Sequence, residues 1–212
     1  GYLYQVLCAL DLLLSSRDAI TEISIESCDD LVFESNGNLS HLIQLKHHST
    51  PASLTDSSSD LWKTIRVWST YLRNGQLRLP GTLLSIITTG QAPKNSIASL
   101  LRPRLANTRD TQDACLRLYE IANTSSNNSL RPAFDAFKSL SSEQRDMLIA
   151  SIQVIDNHPN IVNVVDSIKF NLRLSVRPGH LNGLYERLEG WWFDKVIRHL
   201  QEDSSRPIPY MD

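Results

Sequence analysis

Residues 29–46 (DDLVFESNGNLSHLIQLK) set an acid, an amide and a lysine at alternating positions of two short apolar runs. In the first run Asp30, Val32 and Glu34 alternate with Leu31 and Phe33. After Asn36-Gly37-Asn38, the second run alternates Leu42, Gln44 and Lys46 with Ile43, Leu45 and His47. A period of two around a turn sequence predicts a β-hairpin. Pairing about that turn sets Asp30 near Lys46 and Gln44 near Val32, and parity puts Asp30, Gln44 and Lys46 on one surface. A carboxylate and an amide oxygen can hold a hard divalent cation while an ammonium steadies a phosphate, which is the chemistry of phosphodiester cleavage. The same residues also suit the wet face of an ordinary strand, and on that reading Lys46 is dispensable for activity. Apolar Ile43 and Leu45 on either side of Gln44 predict an internal strand covered on both faces. The alternating segment 20–26 predicts a further strand that brings Glu26 close to the same surface.

Tyr4-Gln5 in an opening apolar helix, then Glu26, Asp29-Asp30-Leu31-Val32 and Gln44-Leu45-Lys46-His47-His48 together resemble the PD-(D/E)xK nuclease superfamily. The match is to the branch with Q-x-K in place of (D/E)-x-K. Within it, the chain is similar to the N-terminal double-stranded DNA endonuclease domains of antiphage effectors, both cyclic-nucleotide-triggered and STAND ATPase types. The resemblance in motifs covers residues 2–48. Beyond residue 75 it is loose, although Leu184 to Leu200 (LYERLEGWWFDKVIRHL) is similar to a segment of three-component defence proteins.

This resemblance implies a restriction-endonuclease-like α/β core and a Mg²⁺-dependent deoxyribonuclease, with Mn²⁺ as a substitute. Asp30 takes the place of the metal-binding aspartate, Gln44 that of the second ligand, and Lys46 that of the lysine that positions the attacking water. Gln5 corresponds to a polar residue completing the site from the first helix, and Glu26 to an extra carboxylate. Gln44 departs from the commoner acid: an amide adds no charge and binds Mg²⁺ more weakly. That departure keeps an alternative open, a catalytically inactive nuclease-fold module that binds protein or DNA within a defence complex. The implied partners are double-stranded DNA and a fused sensor or ATPase domain or partner subunit, with an oligomer as the active form. The residues themselves do not decide DNA against RNA.

Composition frames these expectations. The 212 residues are 41% hydrophobic, enough for a core of ordinary size, and the net charge of −2 shows no global affinity for nucleic acid. An enzyme on DNA would therefore depend on a local basic patch, on metal, or on a basic partner. Cys8, Cys28 and Cys115 lack metal-ligand spacing, and the odd count fits a reduced cytoplasmic protein. No apolar run is long enough to span a bilayer, so no membrane partner is expected. The absence of H-x-E, H-E-x-x-H, G-x-S-x-G, P-loop and G-x-G-x-x-G patterns removes the main sequence support for zinc enzymes, serine hydrolases, NTPases and dinucleotide binders. Gly1 in place of Met and the Pro-rich ending suggest a segment of a longer protein.

The elements that must position these residues follow from hydrophobic period. Residues 2–15 predict a helix buried on most sides. Residues 49–58 are a polar loop before a capped helix over 59–74, whose Lys63 and Arg66 are candidates for DNA phosphates or simply a solvated face. His48 regains the face of Lys46 and is a further phosphate candidate, whereas His47 points to the core. Leu83 to Thr89 predicts a buried strand. Short helices are expected near 95–102, 109–122, 130–140 and 142–150, with 123–129 as a polar break. Ile152 to Ile155 predicts a strand, and Pro159 the first turn of a helix reaching Leu174. A last helix is expected over 181–202, its Trp191-Trp192 pair serving packing rather than base stacking. The expected organisation is an α/β core over residues 1–92, a mainly helical part over 93–205, and the start of a linker over 206–212.

Overall fold

A computed structural model describes the chain apart from residues 1, 16–20, 26–29, 36–37, 49, 51, 104–105, 203–207 and 209–212. The hydrophobic pattern resolves into helix α1 (Tyr2–Ser15), strands β1 (Thr21–Ile25), β2 (Asp30–Ser35) and β3 (Asn38–Lys46), helix α2 (Ser59–Arg73) and strand β4 (Leu83–Thr88). Helices α3 (Ile97–Leu100), α4 (Thr111–Thr124), α5 (Arg131–Lys138) and α6 (Ser142–Ser151) follow, then β5 (Ile152–Ile155), α7 (Ile161–Leu172) and α8 (Leu181–Glu202). The fold is α/β: a mixed sheet in the order β1-β2-β3-β4-β5 with flanking helices, then a helical C-terminal part. No helix among the described residues is long and apolar enough to cross a membrane.

The chain forms two compact units, Gly1–His47 with Pro159–Asp212, and His48–His158. This differs from the division expected at residue 92, because the C-terminal helices return to α1. In the first unit α1 is buried along Tyr4–Leu10 and at Leu13. Trp192 of α8, 1% exposed, donates its indole N–H to the Val6 carbonyl at 2.8 Å. Ser167 of α7 donates to Asp11 at 2.9 Å. Ile208, expected in a linker, instead bridges antiparallel to Ile23 and is buried. Pro159 lies just outside α7 rather than in its first turn. Asn160 is the N-cap, accepting from the amides of Val162 and Asn163, which satisfies donors that Pro cannot.

In the first unit β1, β2 and β3 are antiparallel. Leu42, Ile43, Gln44 and Leu45 are all buried, as an internal strand requires. His41 stands opposite Phe33, with ring centroids 5.9 Å apart. Burial disfavours its imidazolium and lowers its pKa from 6.5 to about 4. Between those values the unfolded chain binds a proton that the folded chain refuses, so stability falls as pH drops from about 6.5 towards 4. His41→Gln is expected to narrow the gap between urea midpoints at about pH 7.5 and pH 5. A gap equal to that of the parent protein would show that His41 takes no part in it.

In the second unit β4 and β5 pair in parallel, Leu84 opposite Ile152 and Ile87 opposite Ile155. Trp62 of α2 meets Phe134 and Phe137 of α5 edge-on, at centroid distances of 4.7 and 6.3 Å. Two carboxylates clamp its loops. Asp56 accepts from the Ile97 amide at 2.7 Å and from Arg117, while Asp156 takes Arg102 and the Ala92 amide. Burial works to raise the Asp156 carboxyl, but the Arg102 and Ala92 hydrogen bonds outweigh it and hold its pKa below the ordinary value.

Candidate functional site

The hairpin decides which side chains can meet. Its closing pair is Ser35↔Asn38, followed by Glu34↔Leu39, and the register then shifts so that Phe33 opposes His41. Ser40 is the extra residue of this bulge, its hydroxyl donating to the Phe33 carbonyl at 2.9 Å. Continued without the bulge, the pairing would set Asp30 opposite Ile43 and reverse the faces. With it, Asp30 stands opposite Gln44 and Val32 opposite Leu42. The register therefore lies two residues from the expected pairing of Asp30 with Lys46 and Val32 with Gln44. The expected turn was centred on three residues, whereas Asn-Gly alone favours a two-residue tip. A shift of two preserves parity, so Asp30, Gln44 and Lys46 do share a face. Directly opposed Cβ atoms in an antiparallel pair are about 4.5–5.5 Å apart.

Gln44 is 4% exposed and Gln5, on α1, is 2% exposed. A buried amide is costly unless its polar atoms are engaged, so both are constrained positions rather than casual surface ones. Lys46 ends β3 and is partly exposed. Glu26 lies outside the described residues, and among the described residues no three His, Cys, Asp or Glu side chains gather as a metal cluster. The donor set here is one acid and one amide on adjacent strands. That fits Mg²⁺, which keeps several waters and often takes only one or two protein oxygens alongside substrate phosphate.

Tyr4 is a feature whose role the sequence pattern left open. Its ring lies 4.5 Å from that of His47, and its hydroxyl donates to the Pro159 carbonyl at 3.0 Å. His47 directly follows Lys46, so this contact anchors the end of β3, as the core-facing position of His47 required. Burial raises the Tyr4 hydroxyl's pKa and pushes the Cys8 thiol up to about 12, so both remain protonated and serve packing.

The other candidates belong to the second unit. His48 is engaged rather than open: its Nε2 lies 2.9 Å from an Asp60 carboxylate oxygen, and its amide donates to the Thr89 hydroxyl at 2.8 Å. Lys63 and Arg66 are exposed on α2. In the first unit the Trp pair divides, Trp192 in the core and Trp191 48% exposed with the Lys195 ammonium 5.2 Å from its ring centre.

No protein-family model matches the chain, and no curated protein matches it significantly. Among solved structures it is similar to a Cap4 SAVED/CARF-domain containing receptor from Moraxella osloensis. That likeness has 15% identity and a TM-score of 0.53, covering 98% of this chain and 43% of the receptor. A Cap4 SAVED/CARF-domain containing receptor from Acinetobacter baumannii is similar at 13% identity and a TM-score of 0.50, covering 92% of this chain and 42% of that one. The chain thus spans less than half the length of either receptor. At these identities the likeness establishes a shared fold.

Proposed function

We propose that this chain is a metal-dependent endonuclease module of the PD-(D/E)xK superfamily that cleaves double-stranded DNA within an antiphage defence protein. The observation that carries this reading is the hairpin register, which pairs Asp30 with Gln44 and sets Lys46 next on the same face. The fold shared with Cap4 receptors supports its place in a larger defence receptor, with further domains or subunits supplying the trigger.

Asp30 and Gln44, with Glu26 as the added carboxylate that the resemblance implies, would hold Mg²⁺ or Mn²⁺. When bound, such an ion supplies a Lewis acid that acidifies its water and withdraws charge from the phosphoryl oxygens. Lys46 orients the attacking water and stabilises the charge that builds on the phosphoryl oxygens. Water oxygen bonds to phosphorus, the bond to one sugar oxygen breaks, and that oxygen leaves with a proton as an alcohol. Gln5 contributes a buried amide from α1 that holds the water or phosphate in place.

Incubation with supercoiled plasmid tests the proposal, using the protein joined to whatever domains activate it. Cutting is expected with Mg²⁺, none with EDTA, and a fall of about 10²-fold or more for Asp30→Asn. Undiminished cutting in EDTA, or by Asp30→Asn, would remove this centre. Intact plasmid with retained binding would favour the non-catalytic module, the reading that the amide at Gln44 keeps in play.

A further inference from the structure

We infer that α2 carries a duplex-binding stripe, made by Lys63, Arg66 and Arg73, that takes the phosphate backbone of DNA without reading its sequence. On a helix of 3.6 residues per turn, Lys63, Arg66, Thr70 and Arg73 fall within an arc of about 80°. The three cations are exposed. Buried Leu61, Ile65 and Trp68 fall on the opposite arc. From Lys63 to Arg73 the helix rises about 15 Å, the axial length of about four base pairs.

The charges of this unit explain why the stripe is notable in a chain of net charge −2. Its other basic residues include several with assigned structural partners. Arg102 pairs with Asp156, Arg117 with Asp56, and Lys138 with Asp135. Arg145 lies over the Tyr119 ring, and Arg109 donates to four backbone carbonyls. Among the described residues Lys63 and Arg66 form no ion pair, and Arg73 reaches only the neutral Ser139 hydroxyl at 3.4 Å. The one acid on α2, Asp60, is engaged by His48. An uncompensated basic row beside neutral Thr70 complements a row of phosphates. Cations that meet phosphates position the duplex but carry no sequence information, so this binding is expected to be indifferent to sequence.

The choice of DNA rests on the nuclease reading; the row of unpaired cations does not. The test is binding of the parent protein and of a K63A/R66A/R73A variant to a labelled duplex in EDTA, between about 50 and 200 mM salt. Every phosphate that the protein ceases to neutralise lowers the magnitude of the slope of log K against log salt by about 0.9. The variant is therefore expected to bind about tenfold or more weakly, with a slope shallower by about 2–3, equally on unrelated DNA sequences. An unchanged thermal midpoint shows that the exposed substitutions leave the fold intact. Equal affinity and slope, weaker binding at unchanged slope, or no binding by the parent protein even at low salt would each overturn the inference. So would an effect confined to duplex RNA. Because cutting is not measured, stripe-dependent binding by a protein that never cuts would sink the nuclease reading alone.

Discussion

Lys46→Ala is expected to lower DNA cutting by about 10²–10³-fold or more while leaving the thermal midpoint close to that of the parent protein. The charge sits at the partly exposed end of β3, so its removal opens no cavity in the core. Lys46→Arg separates charge from position. A guanidinium keeps the positive charge but is planar and longer, and at a site that must hold one water it is no conservative replacement. Its rate should stay well below that of the parent, with substrate affinity largely retained. Single-turnover cutting at saturating DNA measures this directly. Full activity in Lys46→Ala would return the residue to an ordinary solvated strand position.

Trp192→Ala is expected to cost about 3–5 kcal/mol, against near-neutral effects at Trp191. Trp192 is 1% exposed, and its indole N–H satisfies the Val6 carbonyl of α1. The substitution leaves a cavity and strips that carbonyl of a buried donor. Trp192→Phe keeps much of the volume and loses the N–H, so its smaller cost isolates the hydrogen bond. Trp191, 48% exposed, has little packing to lose. Chemical denaturation of the three variants gives the comparison. Equal losses at Trp191 and Trp192 would contradict the assignment of one to the core and the other to the surface.

Much of the secondary structure was legible because long amphipathic or wholly apolar runs leave little choice. The opening helix over 2–15 and the last over 181–202 fall where the pattern sets them. The strand over 152–155 also falls where it was expected. The hairpin register was not, because two strands of matching period slide past one another in steps of two without exposing the core face. The closing pair Ser35↔Asn38 and the Ser40 bulge fixed the register, and a bulge leaves little trace in periodicity. The return of α7 and α8 to α1 was equally hidden, since it depends on packing between segments more than 150 residues apart. Within the site, the shared face of Asp30, Gln44 and Lys46 survived the register error because its size was even. The engagement of His48 by Asp60 could not be read from the pattern, because it joins the loop after β3 to the first turn of α2 through tertiary packing.

The most direct measurement is a crystal structure of the protein with Mn²⁺, read by the ion's anomalous scattering. The expected result is one strong peak within about 2.1–2.3 Å of both an Asp30 carboxylate oxygen and the Gln44 side-chain oxygen, with Lys46 reaching its water shell. A well-ordered structure at saturating Mn²⁺ and with DNA bound, in which the ion occupies another place and those two oxygens point apart, would contradict the account.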